Sequence, residues 1–449
     1  MRGRTNIPPR KAPQINGDLK NFVVASGNTI AKGDFVSYVI NNEYVNFDSR
    51  QLKLKYKNEY DETNHKSVLV FTVEGGNPLI MLVQVKDGDL VVLHSLSVSL
   101  TNNFVGATVD GTSVYIADAP ASITSTVVDL KINRVDITND TLVFNQTYTN
   151  RISSSGSTST IYVNGIGIKG TVLYLCYVEW VAPTSGSKYL YSRVRLGTLG
   201  GSMSGTTVNL DTFQTTSSSN ANDCYTYGVG DNVVVIASLS KDNHNKTIVS
   251  TFSTTAQISS ETFDLKLYAS DKFGMKLCVV GATVSGYTYT GSVRFITLDS
   301  SGNISVDFGE SVSTMTDGKG YAFLGRIGQS KYVVIFYHNT SPVKIVTKEY
   351  TIAGSVTSVT YNDNVVMSPE PTSLQCILSN YSTNVVLEVN PVSGTRGVVK
   401  YYGASTENGF VLGKPSNTVK SYDGGYTVGF ANTSGTAGQT IQVYTPYDS

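Results

Sequence analysis

The chain has 449 residues, and its 34 basic and 34 acidic side chains cancel to a formal net charge of zero. Such a balance gives no whole-molecule field to draw in nucleic acid or an anionic membrane, so neither is expected as a partner. Val, Thr, Tyr and Ser dominate while strong helix formers are scarce, which argues against a helical bundle and predicts an all-β chain.

Residues 1–20 carry Arg2, Arg4, Arg10 and Lys11 around Pro8-Pro9 and have no apolar periodicity. They read as an extended basic arm that cannot bury itself and becomes ordered against a partner. The arm lacks the apolar run of a secretory signal, and no stretch reaches 18 consecutive apolar residues, so neither export by a leader nor membrane insertion is expected.

Residues 21–65 read as the first half of a small β module, with strand candidates FVVA from Phe22, DFVSYVI from Asp34 and EYVNF from Glu43. Gly27 and Gly33 sit where the connecting turns need them. In QLKLKYKNEY, Leu52, Leu54 and Tyr56 alternate with Lys53, Lys55 and Lys57, predicting one buried and one basic face. The lysine face is read as a solvated edge that resists edge-to-edge aggregation.

Residues 66–403 repeat one phrase seven times: an apolar β-branched run, a polar turn and a returning strand. The runs begin at Val68, Val114, Val172, Val233, Met275, Tyr332 and Val385, spaced 42 to 61 residues apart. That period predicts a β-propeller of about seven blades with outer loops of variable length. Cys176, Cys224, Cys278 and Cys376 fall inside apolar runs without C-x-x-C spacing, and are expected as buried free thiols of a chain folded in a reducing compartment.

Residues 404–449 change composition again, with strand candidates FVLG from Phe410, YTVGFA from Tyr426 and TIQVYT from Thr440. Two β segments at opposite ends, each too small for its own core, are best joined as one split β-barrel or sandwich into which the propeller is inserted. Gly429 and Ala431 keep a strand face small, while Gly435 and Gly438 supply backbone freedom in the turn TSGTAGQT.

The pair IAKGDFVSYV from Ile30 and YTVGFANTSGTAGQTIQVYT from Tyr426 resembles structural virion proteins of phages that infect Gram-positive bacteria. In that family an early GDFV-like strand and a late G-x-A segment with a final I-x-V strand close a small β domain. The match covers about 60 residues at the two ends. It implies a tail, baseplate or head-associated virion component, made in the host cytoplasm and carried on the particle. Its expected partners are other virion proteins, with further copies of itself in the assembly.

No motif names a catalytic chemistry, so no enzyme is expected. SYDGGYTV, from Ser421, fits the Asp-box pattern of sialidases only once and outside the repeats, and an Asp-stabilised turn at Asp423 explains it. Glu179 beside Trp180 is the most enzyme-like pair, but glycoside hydrolysis needs a second carboxyl group that nothing local singles out. His65, His94, His244 and His338 are isolated, and KDNHNKT lacks the order of a calcium loop. No metal site and no cofactor are expected.

The residue type in excess is tyrosine, 28 against a single Trp. Tyr225 and Tyr227 in DCYTYG, and Tyr287 and Tyr289 in the hairpin tip SGYTYTG, sit in turn-like surroundings. With Trp180 they form the candidate ligand contacts, because an exposed aromatic is a rigid amphipathic platform for carbohydrate or protein. Two function classes follow: a propeller that recognises bacterial cell-wall polysaccharide or a surface-layer protein, or a non-binding head, neck or baseplate subunit. A hydrolase of surface glycan is the distant third.

Overall fold

The computed structural model describes residues 17–446 apart from 42, 46–51, 74, 87–88, 125–126, 154–158, 202, 204, 216–222, 242–243, 286–287, 317–319, 328–330, 339–343, 352–356, 364–373, 380–383, 390–397, 407–408, 413 and 423–426. No described segment is helical. The chain divides into two units, residues 1–43 with 401–449, and residues 44–400.

Residues 44–400 form a propeller-like ring of antiparallel sheets. Each of the seven apolar phrases lies in the second of the four adjacent strands that make up the body of its own sheet, as in Lys66–Val73, Val172–Val181 and Lys276–Ser285. That position explains the continuous apolar composition, because a second strand is covered on both faces by the neighbouring sheets. Val68, Leu69, Val70 and Phe71 are all buried, as are Leu173 to Val178. The cores lie between adjacent sheets: Val68, Val70 and Ile80 of the first pack with Val114 and Ile116 of the second. Phe295 of the fifth meets Tyr332, Phe336 and Tyr350 of the sixth.

Among the described residues five of the sheets are plain four-stranded blades, against the expected count of about seven blades. The third sheet gains a fifth strand because Ile123–Thr124 pairs with Ile161 and Thr160. The last, begun by Leu374–Ser379 paired with Asn384–Val389, also departs from the four-strand plan, and Val398–Thr406 follows these two in its order. The strands Leu374–Ser379 and Asn384–Val389 contact Leu52–Asp61 of the first sheet, which closes the ring.

The lysine-bearing segment belongs to this ring and not to the small module. Leu52–Asp61 is the first strand of the first sheet, joined to Lys66–Val73 through a tight turn in which Asp61 accepts hydrogen bonds from the Asn64 backbone (3.0 Å) and side chain (2.8 Å). Leu52 and Tyr56 are buried, and the register shifts between Leu54 and Tyr56. The module's first half therefore ends near residue 43, not 65.

The other unit is a closed barrel of Gly17–Val24, Lys414–Ser421, Phe35–Asn41, Thr427–Ala431 and Thr440–Pro446, in that order. Gly17–Val24 runs parallel to Lys414–Ser421 and antiparallel to Thr440–Pro446. Phe22, Val36, Val419, Val428, Ile441 and Val443 fill its interior. Gly17 to Lys20 thus begin a barrel strand and not an arm; the arm residues Arg2, Arg4, Pro8, Pro9, Arg10 and Lys11 lie outside the described residues. The sequence carries no strand signal for Lys414–Ser421, in which Val419 is the apolar side chain that joins the barrel core among the described residues. FVLG forms Gly409–Leu412 but pairs with Gly403–Thr406, not with a barrel strand. Glu43–Val45 is likewise outside the barrel order.

Gly27 and Gly33 adopt positive φ (76° and 95°), as the turns between the first barrel strands require.

Candidate functional site

The first strands of successive sheets converge on the ring interior. They are Leu52–Asp61, Asn103–Asp110, Ser159–Lys169, Cys224–Val229 and Lys266–Phe273. Close approach is possible between the second and third because both carry glycine at the meeting point: a Cβ on Gly106 would stand 2.8 Å from the Cα of Gly165. At the end where these strands begin, they enclose a cavity of about 560 Å³.

Four lysines line it, Lys53, Lys55, Lys57 and Lys266, against the single carboxylate Asp223 among its described lining residues. Lys57 is held by Asp271, 3.1 Å from Nζ to Oδ2, with both side chains largely buried. The charges of the other three act on Asp223 through space. Desolvation pushes the Asp223 carboxyl up while Lys55, Lys266 and Lys53 pull it down. Lys53, Lys55 and Asp223 are exposed at the rim, where partial desolvation, with Lys53 alongside, lowers the Lys55 ammonium against the attraction of Asp223. The alternation of lysines was visible in sequence, but a strand on the inner edge of its sheet carries the same pattern as one on an outer edge.

Deeper in the cavity the lining is closed by Tyr56, Ala107, Thr226 and Tyr227, all buried. Thr226 donates its hydroxyl to the Ile166 carbonyl at 2.6 Å, and burial raises the Tyr56 phenol to about 12. These groups are satisfied and neutral. The charged groups are confined to the mouth, where Lys266 lies 6.0 Å over the ring of Tyr268.

The candidate aromatics are scattered. Tyr225 and Tyr227 lie not in a turn but in the strand Cys224–Val229, where both line the cavity. The Tyr227 hydroxyl donates to the Ser270 carbonyl at 2.9 Å, and Tyr225 reaches the Tyr268 carbonyl at 3.4 Å. Burial raises both phenols well above the ordinary value. Tyr289 is half-buried in Thr288–Leu298, opposite Val284 and Met315, in a hairpin whose other strand ends at Ser285. Tyr287 lies outside the described residues. Trp180 is half-buried near the end of Val172–Val181, with Lys188 Nζ 5.8 Å from its ring centre.

The residues weighed for catalysis are held structurally. Glu179 is fully buried and accepts from Arg193, whose guanidinium lies 4.3 Å over Tyr191. His244 is 2.6 Å from Asp211 and stacks on Phe213. Cys176 and Cys278 are buried free thiols; Cys224 is a half-buried one beside Cys176, which with burial raises its pKa. Asp423 lies outside the described residues. Among the described residues no group of three or more His, Cys, Asp and Glu could hold a metal ion.

No family model and no curated protein sequence matches this chain. Among solved structures it is similar to the Nup133 β-propeller domain of Vanderwaltozyma polyspora, at 7% identity over 65% of this chain and 97% of that one, TM-score 0.27. It is similar to the WD40 domain of SCAP from fission yeast, at 9% identity over 84% and 99%, TM-score 0.31. An ulvan lyase, a polysaccharide lyase, aligns at 9% identity over 87% and 97%, TM-score 0.37. Similarities of this size carry no argument about what the chain binds or does.

Proposed function

We propose that this chain is a structural virion protein of a phage or phage-tail-like particle, tail- or baseplate-associated, that displays its propeller for recognition of the bacterial cell surface. The observation that supports the reading is the meeting of the two terminal segments in one barrel. Phe35 of the GDFV strand lies opposite Phe430, Val36 opposite Gly429, and Thr440–Pro446 completes the sheet against Gly17–Val24. The segments that resemble the virion family are thus the halves of a single small module, and the propeller is inserted between them in the sequence. The reading assigns no catalytic step.

Two measurements test it. Purified particles are expected to contain the chain, at a position fixed by electron microscopy, and the purified full chain is expected to bind host envelopes saturably. Binding to particles alone, with none to envelopes, makes it a decorating subunit. Release of reducing sugar from envelope glycan makes it a hydrolase.

A further inference from the structure

We propose that the lysine-lined cavity at the convergence of the inner strands is a binding site for an acidic saccharide, a sugar or polyol oligomer bearing carboxylate or phosphate. The inference names the ligand class of the recognition role above and rests on that reading for its setting.

Charge concentration is the first argument. The whole chain is neutral, yet four lysines line one cavity, and once Lys57 is matched by Asp271 the remaining three stand against Asp223, the one carboxylate among the described lining residues. An incoming anion relieves the repulsion between Lys53 and Lys55.

Shape and lining supply the second. About 560 Å³ lies in the range of small-ligand sites, roughly 300–1,000 Å³, and holds a few sugar units but not a duplex. Tyr225 and Tyr268 bring aromatic surface into the lining, with Asn164 and Ser270 as polar neighbours. A cation beside an aromatic face, as Lys266 is beside Tyr268, suits a ring that carries an acid group: its C–H face stacks and its anion meets the ammonium.

The test is isothermal titration of the full chain with a trigalacturonate, a glycerol-phosphate trimer, neutral maltotriose and a short single-stranded oligonucleotide. Saturable binding of one or both acidic saccharides, without maltotriose binding, is the expected result, and the stronger arm identifies the acid group. Replacing Lys53, Lys55 and Lys266 together by Gln is expected to weaken binding at least about tenfold with unchanged thermal unfolding, since these are mouth charges. Asp223→Asn is expected to tighten it. Equal binding of maltotriose or of the oligonucleotide, or an unaltered affinity in the triple variant, overturns the proposal. If neither acidic saccharide binds while envelopes still do, the cavity assignment falls and the recognition reading stands. If an acidic saccharide binds but envelopes do not, recognition falls and the cavity assignment stands.

Discussion

Lys57 and Asp271 form an ion pair across 214 residues of sequence, joining the first strand of the first sheet to the first strand of the fifth at 3.1 Å. Their side chains are only 16% and 13% exposed, so each charge draws part of its solvation from the other. Removing one partner takes an opposite charge away from the other near the cavity wall, while Asp271 still accepts from the Lys272 backbone N–H at 2.9 Å. Asp271→Asn is therefore expected to lower stability by about 1–3 kcal/mol, less than the full cost of a deeply buried broken pair. Urea denaturation of both single variants and the double variant measures the coupling; additive single effects would mean that the pair contributes nothing.

Gly429 tests the barrel in the same way. A Cβ at this position would fall 1.8 Å from the Tyr444 carbonyl oxygen, and its φ of 152° is one that side-chain-bearing residues rarely adopt. No rotamer relieves a clash with backbone, so the strands Thr427–Ala431 and Thr440–Pro446 must separate. Gly429→Ala is expected to cost more than about 3 kcal/mol. Hydrogen exchange should register the loss in the barrel strands, including Gly17–Val24, with propeller protection retained. Unchanged barrel protection would contradict the geometry.

The readability of this chain follows burial. The apolar phrases at Val68 or Val172 are visible because a strand covered on both faces needs no polar side. The barrel strand Lys414–Ser421 is invisible for the opposite reason, since among its described side chains Val419 is the apolar one in the core, and its order is imposed by two partners from the other end of the chain. Tyr225 and Tyr227 resemble turn residues because Asp223 and Gly228 flank them, while the groups that fix them, Tyr268 and Ser270, lie 43 residues away. The lysines of the cavity carry a legible alternation, but what they face is decided by ring closure, which no local pattern records.

Glu179 separates a structural acid from a catalytic one. It is fully buried and its carboxylate accepts from Arg193 on the adjacent strand. Glu179→Gln is expected to lower stability by about 1–3 kcal/mol, the range for a weakened charge-assisted hydrogen bond, and to leave saccharide binding unchanged. Thermal unfolding and titration calorimetry on the same preparation check both halves. Normal stability together with lost binding would assign the residue to a site instead.

Acid sensitivity should have a source at Asp136. Burial alone would raise its pKa, but hydrogen bonds from Ser113 (2.7 Å), Asn145 and Arg134 (2.7 Å) outweigh it, and the carboxyl is held below its usual value. A depressed folded pKa means that the unfolded chain takes up the proton first. The stabilisation is then complete above the unfolded pKa, near about 4, and is lost as pH falls through the folded value. Between about pH 5 and pH 3 the wild-type protein is expected to lose more stability than Asp136→Asn, whose side chain does not titrate in that window. Urea titrations at a series of pH values give the two slopes directly. Equal slopes would show that the three donors do not hold the carboxylate, and that strands Val128–Thr138 and Thr141–Ile152 are joined there by backbone pairing alone.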